Sequence, residues 1–335
     1  MSILVAPDSF KGTFAAGEVA GHIAAGIRAA GGTAVELPVA DGGEGTFEVL
    51  VQGLDARPVR VRTVGPWGDD VETVIALAAD GTAVVELAFA SGLNLPSTGR
   101  RNPLLASTYG TGVMMAEAVR HGARRLLVAA GGSATTDGGA GAIAAIEERG
   151  GLNGAEVVVL SDVTTRFGDA ARVFGPQKGA GPAEVEALTL RLETLADRFA
   201  RDLFRDPRPV DRTGAAGGFS GGMWAQYGAR LVSGADHVLD LLGFDALAAA
   251  STAVVVGEGR LDSQTGQGKI IAAILARSGG APVHAVVGSI HDDLGAYAEN
   301  FAGITIASTR EDLLAAGASL ARMAGAPAAA QPAAN

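Results

Sequence analysis

Short apolar runs alternate along the chain with glycine-rich loops that carry acidic, basic and hydroxyl side chains. Residues 3–6, 35–39, 126–130 and 253–256 are such runs, and each is followed closely by such a loop. Near-continuous apolar runs are typical of parallel strands that are buried on both faces. Loops at the carboxyl ends of parallel strands are where α/β proteins bind ligands. The pattern therefore predicts an α/β fold with its functional residues at the strand ends.

The two ends of the chain share one pattern of elements. A strand at 3–6, a helix at 13–30 and a strand at 35–39 predict a βαβ unit. The same alternation returns near the end of the chain, with a strand at 253–256, a helix at 269–277, strands at 283–287 and 304–307, and a closing helix from residue 310. We therefore predict that both chain ends contribute to one doubly wound parallel sheet.

The middle of the chain follows a different pattern. Residues 59–64, 71–78 and 83–89 predict an antiparallel meander, with Asp80-Gly81 as a hairpin turn. Further elements are predicted as helices at 112–121, 140–148 and 182–206, strands at 126–130 and 157–160, and a glycine-rich connector at 214–222. We therefore predict an inserted second α/β domain that contains antiparallel hairpins. The expected boundaries are 1–55 with 246–325 for the outer domain, 56–245 for the inserted domain and 326–335 for a flexible tail.

Composition narrows the possible functions. The 335 residues are 48% hydrophobic and 19% charged, which is ordinary for a folded protein of two domains. The formal net charge is −10, so nucleic-acid binding is not expected. The chain has no cysteine, which removes disulfides and thiol nucleophiles. No signal peptide or membrane-length apolar stretch is evident, so we expect a cytoplasmic protein without a membrane partner.

Residues 131–141 form the most informative loop, because they lie between a predicted strand and a predicted helix. Backbone amides in such a loop can bind an anion, and Ser133, Thr135 and Thr136 add hydroxyl groups. Asp137 is a candidate cation ligand. The alternative is a tight turn that needs glycine for its conformation alone, but the five glycines of this loop exceed what one turn requires.

A second acid-and-base loop precedes the helix predicted at 269–277. Residues 257–262 carry Arg260 and Asp262, and Lys269 opens the helix. The loop is not a Walker A motif, because residue 263 is not glycine and Ile270 stands where serine or threonine would bind magnesium. It also lacks the third glycine of the dinucleotide-binding motif. The alternative is a surface loop with solvated charges.

Three further loops offer charged side chains. Lys11 follows the first strand, Asp41 and Glu44 follow the second, and Lys178 precedes the long helix at 182–206. An exposed turn would explain the Lys11 loop equally simply, and helix capping would explain the Lys178 loop equally simply. The two carboxylates of residues 41–45, taken together with the Lys11 loop, favour a functional role. The five histidines lie outside these loops, and no Ser-His-Asp order is evident. Lysines, carboxylates and bare amides fit phosphoryl transfer from a Mg-nucleotide, and the residues alone leave the acceptor open.

Seven segments occur along the chain in the order that is typical of one enzyme family: 8–12, 41–45, 101–103, 109–112, 131–141, 174–180 and 257–269. Over about residues 1–320 the chain resembles the bacterial type I glycerate kinases. The resemblance implies ATP-dependent phosphorylation of D-glycerate, usually to 2-phosphoglycerate. It also implies a flavodoxin-like domain built from both chain ends, with an inserted α/β domain.

The chain departs from this family in two places. Between Gly141 and Val157 it is shorter than many relatives by a few dozen residues. The sequence Asp162-Val163-Thr164-Thr165 stands where the family usually has Asp-Val-Thr-Asn, and Ser161 stands where relatives often carry cysteine.

The resemblance and the loop chemistry together predict a site in the cleft between the two domains. Asp41 is expected to orient or deprotonate the acceptor hydroxyl, with Lys11 and Arg260 on the glycerate carboxylate or the transferring phosphoryl group. Ser9, Glu44 and Lys178 are expected to contact the substrate, and Asp137 and Asp262 to bind Mg2+. The residues expected to bind the ATP phosphates are Gly131, Gly132, Ser133, Thr135, Gly138, Gly139 and Lys269. Three alternatives stay open: a glycerate 3-kinase, a kinase of a related hydroxy acid, and a non-catalytic sugar-acid sensor.

Overall fold

The computed structural model describes residues 2–99, 101–262, 269–291 and 294–325. The predicted tail at 326–335 and the loop at 263–268 lie outside the described residues. The strands are β1 (Ser2–Pro7), β2 (Ala34–Glu36), β3 (Arg57–Val64), β4 (Asp70–Leu77), β5 (Thr82–Glu86), β6 (Arg125–Ala129), β7 (Glu156–Leu160), β8 (Arg230–Val232), β9 (Ser251–Glu258), β10 (Leu261–Asp262), β11 (Val283–Val287), β12 (Ile290–His291) and β13 (Gly303–Ile306).

The helices are α1 (Ala16–Ala29), α2 (Thr46–Gly53), α3 (Ala88–Ser91), α4 (Tyr109–Arg120), α5 (Ala140–Glu148), α6 (Ala170–Phe174), α7 (Pro182–Leu203), α8 (Phe219–Tyr227), α9 (Gly234–Leu241), α10 (Phe244–Ala249), α11 (Lys269–Arg277) and α12 (Arg310–Gly325). Short 3₁₀ turns occur at Phe167–Asp169, Pro176–Lys178 and Gly295–Asn300. Within the described ranges, no helix is long and apolar enough to cross a membrane.

The chain divides into two compact units, one formed by residues 1–39 with 239–335 and the other by residues 40–238. The sequence placed the first boundary after residue 55. Residues 40–55 belong instead with the second unit because α2 packs beside β5. The Phe47 amide donates to a carboxylate oxygen of Glu86, and the Phe47 ring lies edge-on to Phe89 at 5.1 Å. That each unit is a separate domain stays a prediction.

The first unit is built on a parallel sheet in the order β13-β11-β9-β1-β2. Counted along this unit, the order is 2-1-3-4-5, which is the flavodoxin-like arrangement. The strands are apolar and buried, as the continuous runs predict. Helix α1 buries one stripe that includes Val19, Ile23 and Ile27, and it packs closely on α12. A Cβ on Gly26 would overlap the backbone of Leu314, so glycine permits this close approach.

The second unit is built on a sheet in sequential order, β3-β4-β5-β6-β7-β8. Strands β3, β4 and β5 are antiparallel, and β5 to β8 are parallel. The predicted meander is therefore confirmed. Because β5, β6 and β7 run in the same direction, the residues that follow them emerge at one edge of this sheet. The predicted glycine-rich loop follows β6 at that edge.

One predicted element is wrong in part. The sequence predicts a connector at 214–222, but helix α8 begins at Phe219. Gly221 and Gly222 lie inside this helix. A Cβ on Gly221 would overlap the Phe167 ring, and one on Gly222 would overlap the Gly138 carbonyl oxygen. The glycines therefore allow close packing of the helix instead of forming a turn.

Candidate active site

The glycine-rich loop of the second unit lies directly against the acidic loop 41–45. A Cβ built on Gly131 would lie 2.5 Å from Gly43 Cα, which is closer than side chains approach backbone atoms. Only glycine at position 131 therefore allows this backbone contact. The structure thus brings together two of the predicted groups, the loop after β6 and the loop that contains Asp41 and Glu44.

The acidic loop is held in place by its own hydrogen bonds. Asp41 Oδ1 accepts from the Gly43 amide at 2.9 Å, and Thr46 Oγ1 donates to the Gly43 carbonyl at 2.7 Å. Gly42 has φ +87°, a conformation that favours glycine. Glu44 is exposed, whereas Asp41 is half-buried. The loop therefore presents two carboxylates from a defined backbone.

Lys178 reaches the glycine-rich loop from the 3₁₀ turn before α7. Its Nζ donates to Ser133 Oγ at 2.8 Å and to the Thr135 carbonyl at 2.6 Å. The residue is only 8% exposed. Burial lowers the pKa of the Lys178 amine to about 8, and the negative charge of Asp137 opposes that shift. A buried ammonium group is thus held at the loop that was predicted to bind phosphate.

The first part of the glycine-rich loop can also donate to an anion. Within the described ranges, the backbone amides of Gly131 and Gly132 donate no hydrogen bond. Gly132 is exposed and has φ +66°. Successive amides in such a loop can bind anions. Gly131, Gly132, Ser133 and Lys178 therefore form the strongest candidate for a phosphate site.

Asp137 has a structural role that the sequence did not predict. Its Oδ2 accepts from the Thr108 amide and hydroxyl, both at 2.8 Å, and from the Gly141 amide at 3.1 Å. Its Oδ1 accepts from the Gly139 amide at 3.1 Å. The carboxylate therefore joins the starts of α4 and α5 and occupies the amides at the α5 terminus. This geometry does not fit the predicted binding of Mg2+ by Asp137.

Three predicted phosphate contacts lie in packed surroundings. Gly138 and Gly139 have positive φ, and a Cβ on Gly138 would lie 2.5 Å from a methyl group of Leu195. Thr135 is fully buried, and its hydroxyl makes no hydrogen bond with the described part of the protein. Thr135 contributes its carbonyl oxygen to Lys178 instead. The second half of the loop therefore serves packing and helix capping.

The first unit brings together a second group of predicted residues. The loop after β1, which contains Ser9 and Lys11, lies beside the loop after β9, which contains Arg260. The Asp8 amide donates to the Gly257 carbonyl at 2.8 Å. Strands β1 and β9 flank the point where the order of this sheet reverses, and ligands bind at such points in flavodoxin-like folds. Lys11 and Arg260 are exposed there, and Ser9 is half-buried.

Asp262 and Lys269 lie on either side of residues 263–268, which are outside the described ranges. Asp262 ends β10, and Lys269 is the first residue of α11. The predicted roles of both residues stay predictions. Across the described ranges, no group of three or more His, Cys, Asp or Glu side chains could hold a metal ion. Mg2+ usually takes only one or two protein carboxylates together with substrate phosphates, so a nucleotide-bound ion does not require such a group.

Comparison with known proteins identifies the family. A family model described as the glycerate kinase family matches residues 3–151 and 147–325. The chain belongs to the glycerate kinase family. It is 35% identical over 331 residues to glycerate 2-kinase of Escherichia coli K12, covering 88% of this chain and 87% of that protein. It is 36% identical over 329 residues to glycerate kinase of Bacillus subtilis 168, covering 88% of this chain and 86% of that protein.

A solved structure supports the same assignment. The crystal structure of a candidate glycerate kinase 2 from Salmonella typhimurium LT2 matches with a TM-score of 0.82 at 33% identity. The match covers 97% of this chain and 96% of that chain. The predicted membership of the glycerate kinase family and the predicted two-part α/β fold are therefore confirmed. The two parts of the family match overlap at residues 147–151, at the end of α5. This overlap lies within the segment between Gly141 and Val157 that the sequence predicts to be shorter than in many relatives.

One buried acid of this glycerate kinase family member was missed in the sequence. Glu86 ends β5 and is 1% exposed. The pKa of its carboxyl group is raised to about 7, mainly because the group is buried. The amides of Phe47 and Gly45 act to lower this pKa, and the negative charges of Glu48 and Glu44 act to raise it. The available signal was a lone acidic residue within the otherwise apolar predicted strand at 83–89.

Proposed function

We propose that this protein transfers the γ-phosphoryl group of ATP to the 2-hydroxyl of D-glycerate, forming 2-phosphoglycerate and ADP. The observation that supports this proposal most strongly is the buried Lys178 held on the glycine-rich loop, directly beside the loop of Asp41. Membership of the glycerate kinase family supports the reaction class and the acceptor. Phosphoryl transfer needs positioning and charge neutralisation more than a strong nucleophile, and the site offers both.

In this proposal, Lys178 and the amides of Gly131 and Gly132 bind the phosphates of ATP. An ammonium group in a buried site interacts with a phosphate more strongly than the same group in water. The hydrogen bonds to Ser133 and Thr135 hold the amine in place before the nucleotide binds. The loop therefore needs little reorganisation as negative charge develops on the transferring group.

Asp41 is the proposed acceptor of the substrate proton. Its Oδ1 is used by the Gly43 amide, and its Oδ2 makes no hydrogen bond within the described residues. The hydroxyl oxygen of glycerate forms a bond to the γ-phosphorus as the bond to the bridging oxygen of ADP breaks. The hydroxyl proton passes to the free oxygen of Asp41.

The remaining predicted residues keep supporting roles in the proposal. Lys11, Arg260 and Ser9 are assigned to glycerate, since all three lie at the strand-order reversal of the first unit. Lys269 is assigned to the nucleotide and Asp262 to Mg2+. Bound to ATP, Mg2+ would neutralise negative charge on the phosphates. Asp137 is left out of the metal site because its oxygens already accept four hydrogen bonds.

The proposal is tested by a coupled ADP-release assay with D-glycerate, ATP and Mg2+, followed by NMR of the product. Phosphorylation at the 2-hydroxyl is the expected result. Phosphorylation at the 3-hydroxyl would replace the proposal with a glycerate 3-kinase, and a preference for another acid would replace the substrate. Glycerate binding without ATP consumption would indicate a sensor and contradict the proposal.

A further inference from the structure

The buried carboxyl of Glu86 lies at the start of helix α2. Its Oε2 accepts a hydrogen bond from the Phe47 amide at 3.0 Å. The N-cap residue of α2 is Gly45, which has no side chain to accept from the first helical amides. Glu86 supplies that acceptor from a different element of the second unit, β5. The start of α2 therefore depends on a residue 39 positions away.

A short chain of contacts connects this helix start to the candidate phosphate site. Thr46, the first residue of α2, donates from its hydroxyl to the Gly43 carbonyl at 2.7 Å. Gly43 in turn lies against Gly131, where a Cβ would come within 2.5 Å of Gly43 Cα. A displacement of the α2 start would therefore move the backbone that carries Asp41.

We propose that Glu86 is a positioning residue that holds the acidic loop 41–45 against the glycine-rich loop. The inference rests on the proposed function in one respect: the position of the acidic loop matters because Asp41 is the proposed proton acceptor in phosphoryl transfer. Glu86 itself contacts no proposed substrate group. Its effect is exerted through the backbone of α2 and Gly43.

The surroundings of Glu86 make this positioning dependent on pH. The charged groups that act on it are Glu48 of α2 and Glu44 of the acidic loop. The neighbouring strand β6 places Ala129 beside it, and α3 carries no charged residue. The pKa of the Glu86 carboxyl is about 7, so its charge changes near neutral pH. Burial of the charge lowers the global stability above pH 7, but the ionised carboxylate is the stronger acceptor for the Phe47 amide, and breaking that bond would leave a buried charge unpaired. The start of α2 should therefore be held more firmly above pH 7.

The test compares Glu86→Gln, Glu86→Leu and the control Glu48→Gln, which changes an exposed acid of the same helix. For Glu86→Leu we expect kcat/KM for D-glycerate to fall about 100-fold, because small misplacements of a reacting group have effects of this size. The KM for ATP should change less than about twofold, since the amine of Lys178 is untouched. Glu86→Gln keeps an acceptor but should lose the rise of kcat/KM through pH 7. Glu48→Gln should keep the wild-type kcat/KM at pH 8, with the rise displaced to lower pH because a charge that raises the pKa of Glu86 is removed.

Hydrogen exchange supplies a readout that needs no activity. In Glu86→Leu, the amides of residues 41–50 should exchange about tenfold faster, while those of Glu156–Leu160 keep their protection. Wild-type exchange at 41–50 in that variant would overturn the positioning role, as would a rise through pH 7 that persists in Glu86→Gln. If Glu86→Leu does not fold, the pH profile of Glu86→Gln decides alone. Failure of wild type to phosphorylate D-glycerate would overturn the proposed function and leave the exchange result unaffected.

Discussion

Replacing Lys178 by methionine separates catalysis from stability. The substitution keeps a long apolar side chain and removes the amine that donates to Ser133 Oγ and the Thr135 carbonyl. Burial lowers the pKa of Lys178 from 10.5 to about 8. That difference corresponds to a cost of about 3 kcal/mol for keeping the amine charged in the folded protein at pH 7. Lys178→Met removes this cost.

The same substitution also removes stabilising contacts. The buried carbonyl of Thr135 loses its donor, which costs about 1–3 kcal/mol. The two effects oppose each other, so we expect the free energy of unfolding at pH 7 to change by less than about 2 kcal/mol. The pH dependence follows from the sign of the shift. Between pH 8 and 10.5 the unfolded chain binds more protons than the folded protein, so wild type gains stability with rising pH and Lys178→Met does not.

Activity should respond very differently. Removing one charged donor from a preorganised phosphate site lowers kcat by about 100- to 1000-fold. Activity is measured as ADP release with D-glycerate, and stability by urea unfolding at pH 7 and pH 9.5. Arg172→Met, which changes an exposed cation of α6, is the control. A near-normal kcat/KM for ATP in Lys178→Met would refute the assignment. A fall in activity matched by a large loss of stability would show that Lys178 only supports the fold.

The remaining predictions address three other positions. Gly131→Ala should lower kcat/KM about 100-fold by pushing the acidic loop away. The control Gly99→Ala has nothing within 4 Å of the added Cβ and should match wild type. Equal kcat/KM values for the two variants would contradict the contact between the loops. Asp137→Asn should lower the free energy of unfolding by about 1–3 kcal/mol. The Mg2+ concentration needed for activity should stay the same, and a change in it would contradict the capping role of Asp137. Glu86→Gln should be about 3 kcal/mol more stable than wild type at pH 8. The raised pKa of Glu86 stabilises the folded wild type below pH 4.5, and this contribution is lost as the pH rises through 7. Urea unfolding at pH 5 and pH 8 measures the difference, and an equal difference at both pH values would contradict the prediction.

The apolar pattern predicted the buried elements well. The helices Ala140–Glu148 and Lys269–Arg277 and the strand Val283–Val287 have the predicted bounds, because burial of apolar side chains determines where these elements begin and end. Glycine was less informative. Gly221 and Gly222 were predicted as part of a connector, yet they allow α8 to pack closely on its neighbours. A single sequence does not distinguish these two uses of glycine.

The candidate site shows a similar division. The chain has its lysines at positions 11, 178 and 269 only, and arginine carries the other positive charges, so the loops of interest stand out by composition. The hydrogen bond of Lys178 to Ser133 joins residues 45 positions apart and follows from the fold. The saturation of Asp137 is likewise a property of folded geometry, because half of its donors come from Thr108. The residue types in the sequence therefore indicated which loops form the candidate site. Which of their atoms remain available to bind a ligand depends on hydrogen bonds that form only in the folded protein.

The most direct test of this account is the rate of D-glycerate-dependent ADP formation by purified wild type and Lys178→Met under the same conditions. The account predicts rapid ADP formation by wild type only when D-glycerate is present, and a rate at least about 100-fold lower for the variant. Absence of stimulation by D-glycerate in wild type, or equal rates for the two proteins, would contradict it.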